Sequence, residues 1–264
     1  MDGLGSLNIH ITRKQKMRVA ATLSGQPRFT KEFDVFLENL RDYDQVDWFV
    51  YLWNNFEETE RVPPFMNNPD NWNDATMRAK FEANLPANHR VIYFGLHEIP
   101  PYEVTRPLNT TPWTHAPGVW YMHLGLKAVT EIREQYEQEH GKYDLVIRAR
   151  PDVMIYPGLS LAATDAYLKQ NPKTLIMSSN HRLGLQGRGV SELMFVANSD
   201  TMSVVCKMFD HLFEYNDAGV PYHPETLTAH HLTVNGIDTP MTDFEMNFRT
   251  LKQPDGTLDW GRWN

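Results

Sequence analysis

The run Tyr143-Asp144-Leu145-Val146-Ile147-Arg148-Ala149-Arg150-Pro151-Asp152 constrains the fold more than any other part of the chain. Leu145 to Ile147 is short, apolar and partly β-branched, which is the pattern of a buried strand. The run then delivers Arg148, Arg150 and Asp152. Strand alternation puts all three on one face, with Pro151 breaking the ladder among them. Charges at the C-terminal end of a strand lie where open α/β sheets bind ligands. A surface salt bridge at a strand end is the competing reading.

Elements on either side follow a β/α alternation. Arg18 to Leu23 reads as a first buried strand and Val46 to Trp53 as a second. Between them, residues 29–40 have helical spacing, with Phe33, Phe36, Leu37 and Leu40 on one face. Strand, helix and strand within about 35 residues match a βαβ unit. Further strands are expected at Arg90 to Phe94, Lys173 to Ser178 and Ser191 to Ala197. Further helices are expected at Asp74 to Asn84, Gly118 to His140, Ser199 to Tyr215 and Pro224 to Asn235. The 118–140 helix is given a core of Trp120, Leu124, Val129, Ile132 and Tyr136; Tyr121 and His123 near its N-terminus could face a cleft, with a solvent-exposed His123 as the favoured reading. The 199–215 helix is given Met202, Val205, Phe209 and Leu212.

The expected fold class is therefore α/β: a single Rossmann-like domain over residues 17–264, with a mostly parallel central sheet flanked by helices. Residues 1–16 read as a flexible polar leader without the apolar core of a secretory signal. Residues 57–117 are an irregular, proline-rich insertion, and residues 241–264 read as a polar and aromatic C-terminal strap. No apolar run reaches the length of a transmembrane helix.

Composition limits the function. A formal net charge of −8 argues against a dedicated nucleic-acid binder, so an anionic ligand needs a local group of cations. The single cysteine, Cys206, rules out an intrachain disulfide and fits a reducing, cytoplasmic setting. With one cysteine and no H-E-x-x-H motif there is no zinc signature, and no G-x-S-x-G elbow marks a serine hydrolase.

Four features are candidates for one sheet edge. Ser24-Gly25-Gln26-Pro27-Arg28 follows the first strand. Its small residues permit close backbone approach to a ligand, and Arg28 suits a phosphate. It lacks the repeated glycines of a Walker or dinucleotide fingerprint, and an ordinary strand-to-helix turn competes. Arg148, Arg150 and Asp152 form the second feature. The cations suit a diphosphate and Asp152 a hard divalent ion. Glu192, at the start of the strand expected over Ser191 to Ala197, is the third, as general base toward a hydroxyl or as a buried acid paired with arginine. The fourth is the helix that opens with Glu225 and carries His230 and His231. Adjacent helical residues point about 100° apart, so at most one of the two histidines faces a site.

Taken together, Val19 to Arg28, Trp48 to Trp53, Tyr143 to Asp152 and the segment from Pro224 through His231-Leu232 resemble a group of bacterial and viral glycosyltransferase-like proteins. Their fold is similar to the A-type, nucleotide-diphospho-sugar transferase fold. The resemblance implies transfer of a sugar from a nucleoside-diphosphate donor, UDP-sugar favoured, to a glycan or other hydroxyl acceptor, assisted by Mn²⁺ or Mg²⁺. It implies Asp152 as the metal ligand at the last position of a D-x-D motif, here Arg150-Pro151-Asp152, with His230 or His231 as a further ligand. Arg150 stands where the first acid is expected, which puts that acid's ribose and metal contacts in doubt. Ser24, Gly25, Gln26, Arg28, Arg148 and Arg150 are assigned to the nucleotide-sugar, and Glu192 and Glu225 to catalysis. A nucleotidyltransferase and a non-catalytic nucleotide- or sugar-binding module are the alternatives.

Overall fold

The computed structural model describes residues 17–27, 37, 40, 45–54, 74–112, 114–150, 161–177, 190 and 194–239. The strands are β1 (Arg18–Gly25), β2 (Gln45–Trp53), β3 (His89–His97), β4 (Leu145–Ala149), β5 (Ile176–Met177) and β6 (Met194–Ala197). The helices are α1 (Asp74–Ala83), α2 (Ala116–His140), α3 (Leu161–Gln170), α4 (Ser199–Cys206), α5 (Leu212–Asp217) and α6 (Pro224–Val234), with a 3₁₀ turn at Met208–His211. Leu37 and Leu40 are helical and buried, and the rest of the expected 29–40 helix lies outside the described residues.

The strands form one six-stranded sheet in the order β3-β2-β1-β4-β6-β5. β3, β2, β1 and β4 are mutually parallel, and β6 is antiparallel to β4. This is the expected α/β, mostly parallel, Rossmann-like arrangement. From β1 the chain steps outward to β2 and β3, then returns to lay β4 on the other side of β1. The direction of winding thus reverses between β1 and β4, which makes their C-terminal ends a topological switch point.

Side-chain alternation sorts the sheet into two apolar layers. Val19, Ala21, Leu23, Trp48, Val50, Leu145 and Ile147 face Leu37, Leu40, α1 residues Met77 and Phe81, and α3 residue Leu168. Ala20, Phe49, Val146, Phe195 and Ala197 face α2 residues Leu126 and Val129, α4 residues Met202 and Val205, and Leu232 of α6. Helices therefore cover both faces, as buried parallel strands require.

α2 corrects the sequence reading most sharply. Its buried residues are Val119, His123, Gly125, Leu126, Val129, Thr130, Arg133 and Glu137. Of the expected core set only Val129 is among them. His123, expected to be exposed, is 2% exposed. The large aromatics set the expected phase, but the true face mixes apolar Val119, Leu126 and Val129 with polar residues, of which Arg133 and Glu137 are paired. Arg133 donates to the Ser199 and Ser203 hydroxyls, each at 2.6 Å. Ser199 donates to Glu137, which also accepts from the Tyr143 amide at 3.0 Å. Paired charges of this kind can be buried.

Three smaller differences are local. The expected 199–215 helix is broken into α4, the 3₁₀ turn and α5, and Phe209 is only partly buried. Of the strand expected over 173–178, β5 covers Ile176–Met177, whereas Thr174 forms an isolated parallel bridge with Asp238 and Ser178 lies outside the described residues. α3 fills a stretch for which no helix was expected.

Candidate functional site

The α2-facing side of the sheet changes character along the strands. β1 presents Ala20, then Thr22, then Ser24. β4 presents Val146, then Arg148. Apolar residues thus occupy the N-terminal half and polar ones the C-terminal half. Thr22 stands opposite Arg148 and Leu23 opposite Ala149 in the parallel register. Ser24-Gly25-Gln26 and Arg148-Ala149-Arg150 therefore leave the sheet side by side at the switch point.

Gly25 ends β1 at φ 124, with nothing within 4 Å of where a Cβ would sit. The backbone turn, and not crowding, requires glycine there. Ser24 is buried, whereas Gly25 and Gln26 are half-buried. Gly125 of α2 brings the helix down on this corner. A Cβ there would lie 3.6 Å from the Ser24 Cβ and 3.4 Å from the Trp53 Nε1. Trp53, at the end of β2, is itself buried, and its Nε1 has no hydrogen-bond partner among the described residues.

Arg148 is 1% exposed, with its guanidinium carbon 5.5 Å from the Phe195 ring centroid. Arg148 is therefore not a surface residue: the cation sits within the fold, beneath α2. Arg150 is half-buried beyond the strand end. His123 of α2 lies close enough to Arg148 and His231 for their charges to act on it. Burial first, and then those two charges, push the His123 imidazole down to about 3, so it is neutral at physiological pH. Its Nε2 has no hydrogen-bond partner among the described residues.

On α6, Glu225 is half-buried in the first turn, and its carbonyl accepts from the Val190 amide at 3.1 Å. His231 is buried. Its Nε2 meets the Val204 carbonyl at 2.9 Å, so that nitrogen carries the hydrogen. Its Nδ1 is then the acceptor for the Tyr215 hydroxyl at 2.8 Å. Both nitrogens are committed, which leaves no lone pair for a metal. His230 sits beside the Tyr215 ring, edge to face at 4.7 Å. No group of three His, Cys, Asp or Glu side chains among the described residues could hold a metal ion. Arg28, Asp152 and Glu192 lie outside the described residues.

The switch point therefore joins Ser24, Gly25, Gln26, Arg148 and Arg150, and His123, which the sequence offered as one of two residues able to face a cleft, lies near Arg148. Trp53 is added by the structure, and its available signal was its place at the end of a strand. No helix among the described residues is long and apolar enough to cross a membrane. No protein-family model matches the chain, and no curated protein matches it.

Proposed function

We propose that the chain transfers a sugar from a nucleoside-diphosphate donor, with UDP-sugars favoured, to a hydroxyl acceptor such as a glycan, on an A-type glycosyltransferase fold. The observation that supports this reading is the pairing of β1 and β4 at the switch point. It sets a small-residue turn, Ser24-Gly25-Gln26, beside Arg148 and Arg150. Backbone amides of such a turn approach a ligand closely, and guanidinium groups match phosphate oxygens.

In this reading the nucleoside approaches Ser24 to Gln26, and Arg28, Arg148 and Arg150 neutralise the diphosphate as it leaves. Glu225 and Glu192 are the candidate bases toward the acceptor hydroxyl. A divalent ion held by Asp152 belongs to the proposal, but no step is routed through it, because the described residues offer it no ligand set.

A thermal-shift screen of UDP, GDP and CDP and their sugar conjugates, with and without Mn²⁺, tests the reading, because a ligand of the native state raises apparent stability. The reading expects a shift with at least one nucleotide-sugar, and hydrolysis of that donor on prolonged incubation. Absence of any shift under all conditions contradicts it. A shift without hydrolysis or transfer to any hydroxyl acceptor favours a binding module.

A further inference from the structure

An extra residue re-aims the C-terminal half of β3. Val91 pairs with Trp48 and Tyr93 with Phe49, so Ile92 bulges between them. Past the bulge, Tyr93, Gly95 and His97 stand opposite Phe49, Tyr51 and Trp53 of β2. Tyr51 in turn stands opposite Ser24 of β1. Residues opposite one another share a face of the sheet, so Tyr93, Gly95 and His97 lie on the same face as Ser24. Bulges of this kind turn side chains toward sites at strand ends.

Tyr93 and His97 close over Gly95. The Tyr93 hydroxyl and the His97 Nε2 meet at 2.7 Å. A Cβ on Gly95 would lie 2.6 Å from that nitrogen and 2.7 Å from that oxygen, so only glycine lets the two side chains meet there. The His97 ring also stacks on Tyr51, with centroids 3.9 Å apart and planes 8° apart. Tyr51, Tyr93 and His97 are each half-buried, so the group is not sealed within the core. β3 lies two strands from β1, about 10 Å away.

Burial, partly offset by the charge of Asp74 on α1, holds the His97 imidazole below its usual value, so it is neutral at pH 7 and able to take a proton. Burial, and then the Asp74 charge, raises the Tyr93 phenol, which therefore keeps its proton to pass to Nε2.

We infer that Tyr93 and His97 form a proton relay for the attacking hydroxyl in the proposed transfer. The acceptor O–H gives its proton to the Tyr93 oxygen, and the Tyr93 proton passes to His97 Nε2. The acceptor oxygen bonds to the anomeric carbon as the bond from that carbon to the diphosphate breaks. The diphosphate leaves with the electron pair, and the imidazolium returns its proton to water. The inference rests on the nucleotide-sugar reading above and adds a proton acceptor on the β3 side of Ser24-Gly25-Gln26. Tyr93 touches the acceptor, and His97 acts through it as a positioning residue and proton store.

Hydrolysis of UDP-glucose, UDP-galactose and UDP-N-acetylglucosamine, with water as the acceptor, is the readout, alongside calorimetric titration of UDP. Tyr93→Phe, His97→Gln and Gly95→Ala are each expected to lower kcat about 100-fold while UDP affinity stays within about twofold. Gly95→Ala keeps both side chains and parts only their flexible ends. The double variant Tyr93→Phe/His97→Gln is expected to be no slower than either single one, because both residues move one proton. Wild-type kcat/KM is expected to fall as pH drops through a value below about 6.5, and His97→Gln to lose that limb. Unchanged rates, additive losses or an acid limb that persists in His97→Gln overturn the relay alone. Variants that lose UDP affinity in step with rate show a structural role and also overturn it. Wild type that binds UDP but hydrolyses none of the three sugars leaves the relay no reaction to serve, and overturns it while the nucleotide site stands. Wild type that binds neither UDP nor a UDP-sugar, with Mn²⁺ present, overturns the nucleotide-sugar reading as well.

Discussion

Arg148 stands opposite Thr22 across the β1–β4 ladder, almost wholly buried beneath α2. A cation in that position is costly unless it is paired. Its place at the switch point gives the site its positive charge without a surface patch, in a chain whose net charge is −8.

The buried histidines make stability sensitive to acid. His123 is lowered to about 3, chiefly by burial. His89 and His231 are lowered by burial, partly offset by their bonds to the Leu40 and Val204 carbonyls. In the unfolded chain these groups protonate near about 6.5. Below that pH the unfolded state binds more protons than the folded one, so stability is present above it and falls as pH drops through it. Urea denaturation at pH 7 and pH 5.5 is expected to show a loss of about 1 kcal/mol from His123 alone.

Asp47 acts at the opposite edge of the sheet and in a lower pH window. Burial raises its carboxyl, but hydrogen bonds from Arg90, Gln45 and Tyr143 and the Arg90 charge outweigh it, and the net shift is downward. Its contribution is present above about pH 3.9 and is lost as pH falls through the depressed folded value. Asp47→Asn is expected to cost about 1–3 kcal/mol at pH 7, read as a lower urea midpoint.

How much of this was legible in the sequence depended on whether pattern and packing agreed. β1, β2 and β4 are central strands, so their apolar runs matched their burial, and the residues at their ends followed. α2 was misphased, because its inner face includes His123, Arg133 and Glu137, and the burial of the last two is compensated by a partner distant in sequence, Ser199. The short β5 and the 3₁₀ break after Cys206 depend on tertiary pairing that no local window contains. His230 and His231 looked alike as ligands. Only the bonds to Tyr215 and Val204 separate them.

His231→Gln is therefore expected to lower Tm, through loss of the bonds that tie α6 to α4 and α5, while leaving any Mn²⁺ affinity unchanged. Titration of Mn²⁺ into wild type and variant reads this. A weakened metal isotherm in a folded variant contradicts the structural assignment of His231.

Gly25→Ala tests the turn at the end of β1. Its Cβ would meet nothing within 4 Å, so only the backbone at φ 124 resists the change. A loss of about 1–3 kcal/mol is expected, measured by chemical denaturation. UDP affinity is expected to weaken with it, because the same turn carries Ser24 and Gln26.

Calorimetric titration of UDP into wild-type protein and into folded Arg148→Met, at matched salt, tests the central claim most directly. Wild type is expected to bind, and the variant to lose about tenfold or more in affinity, roughly 1.4 kcal/mol per decade. Equal affinity in the two proteins would show that the anion lies elsewhere and would contradict a diphosphate site at the β1–β4 switch point.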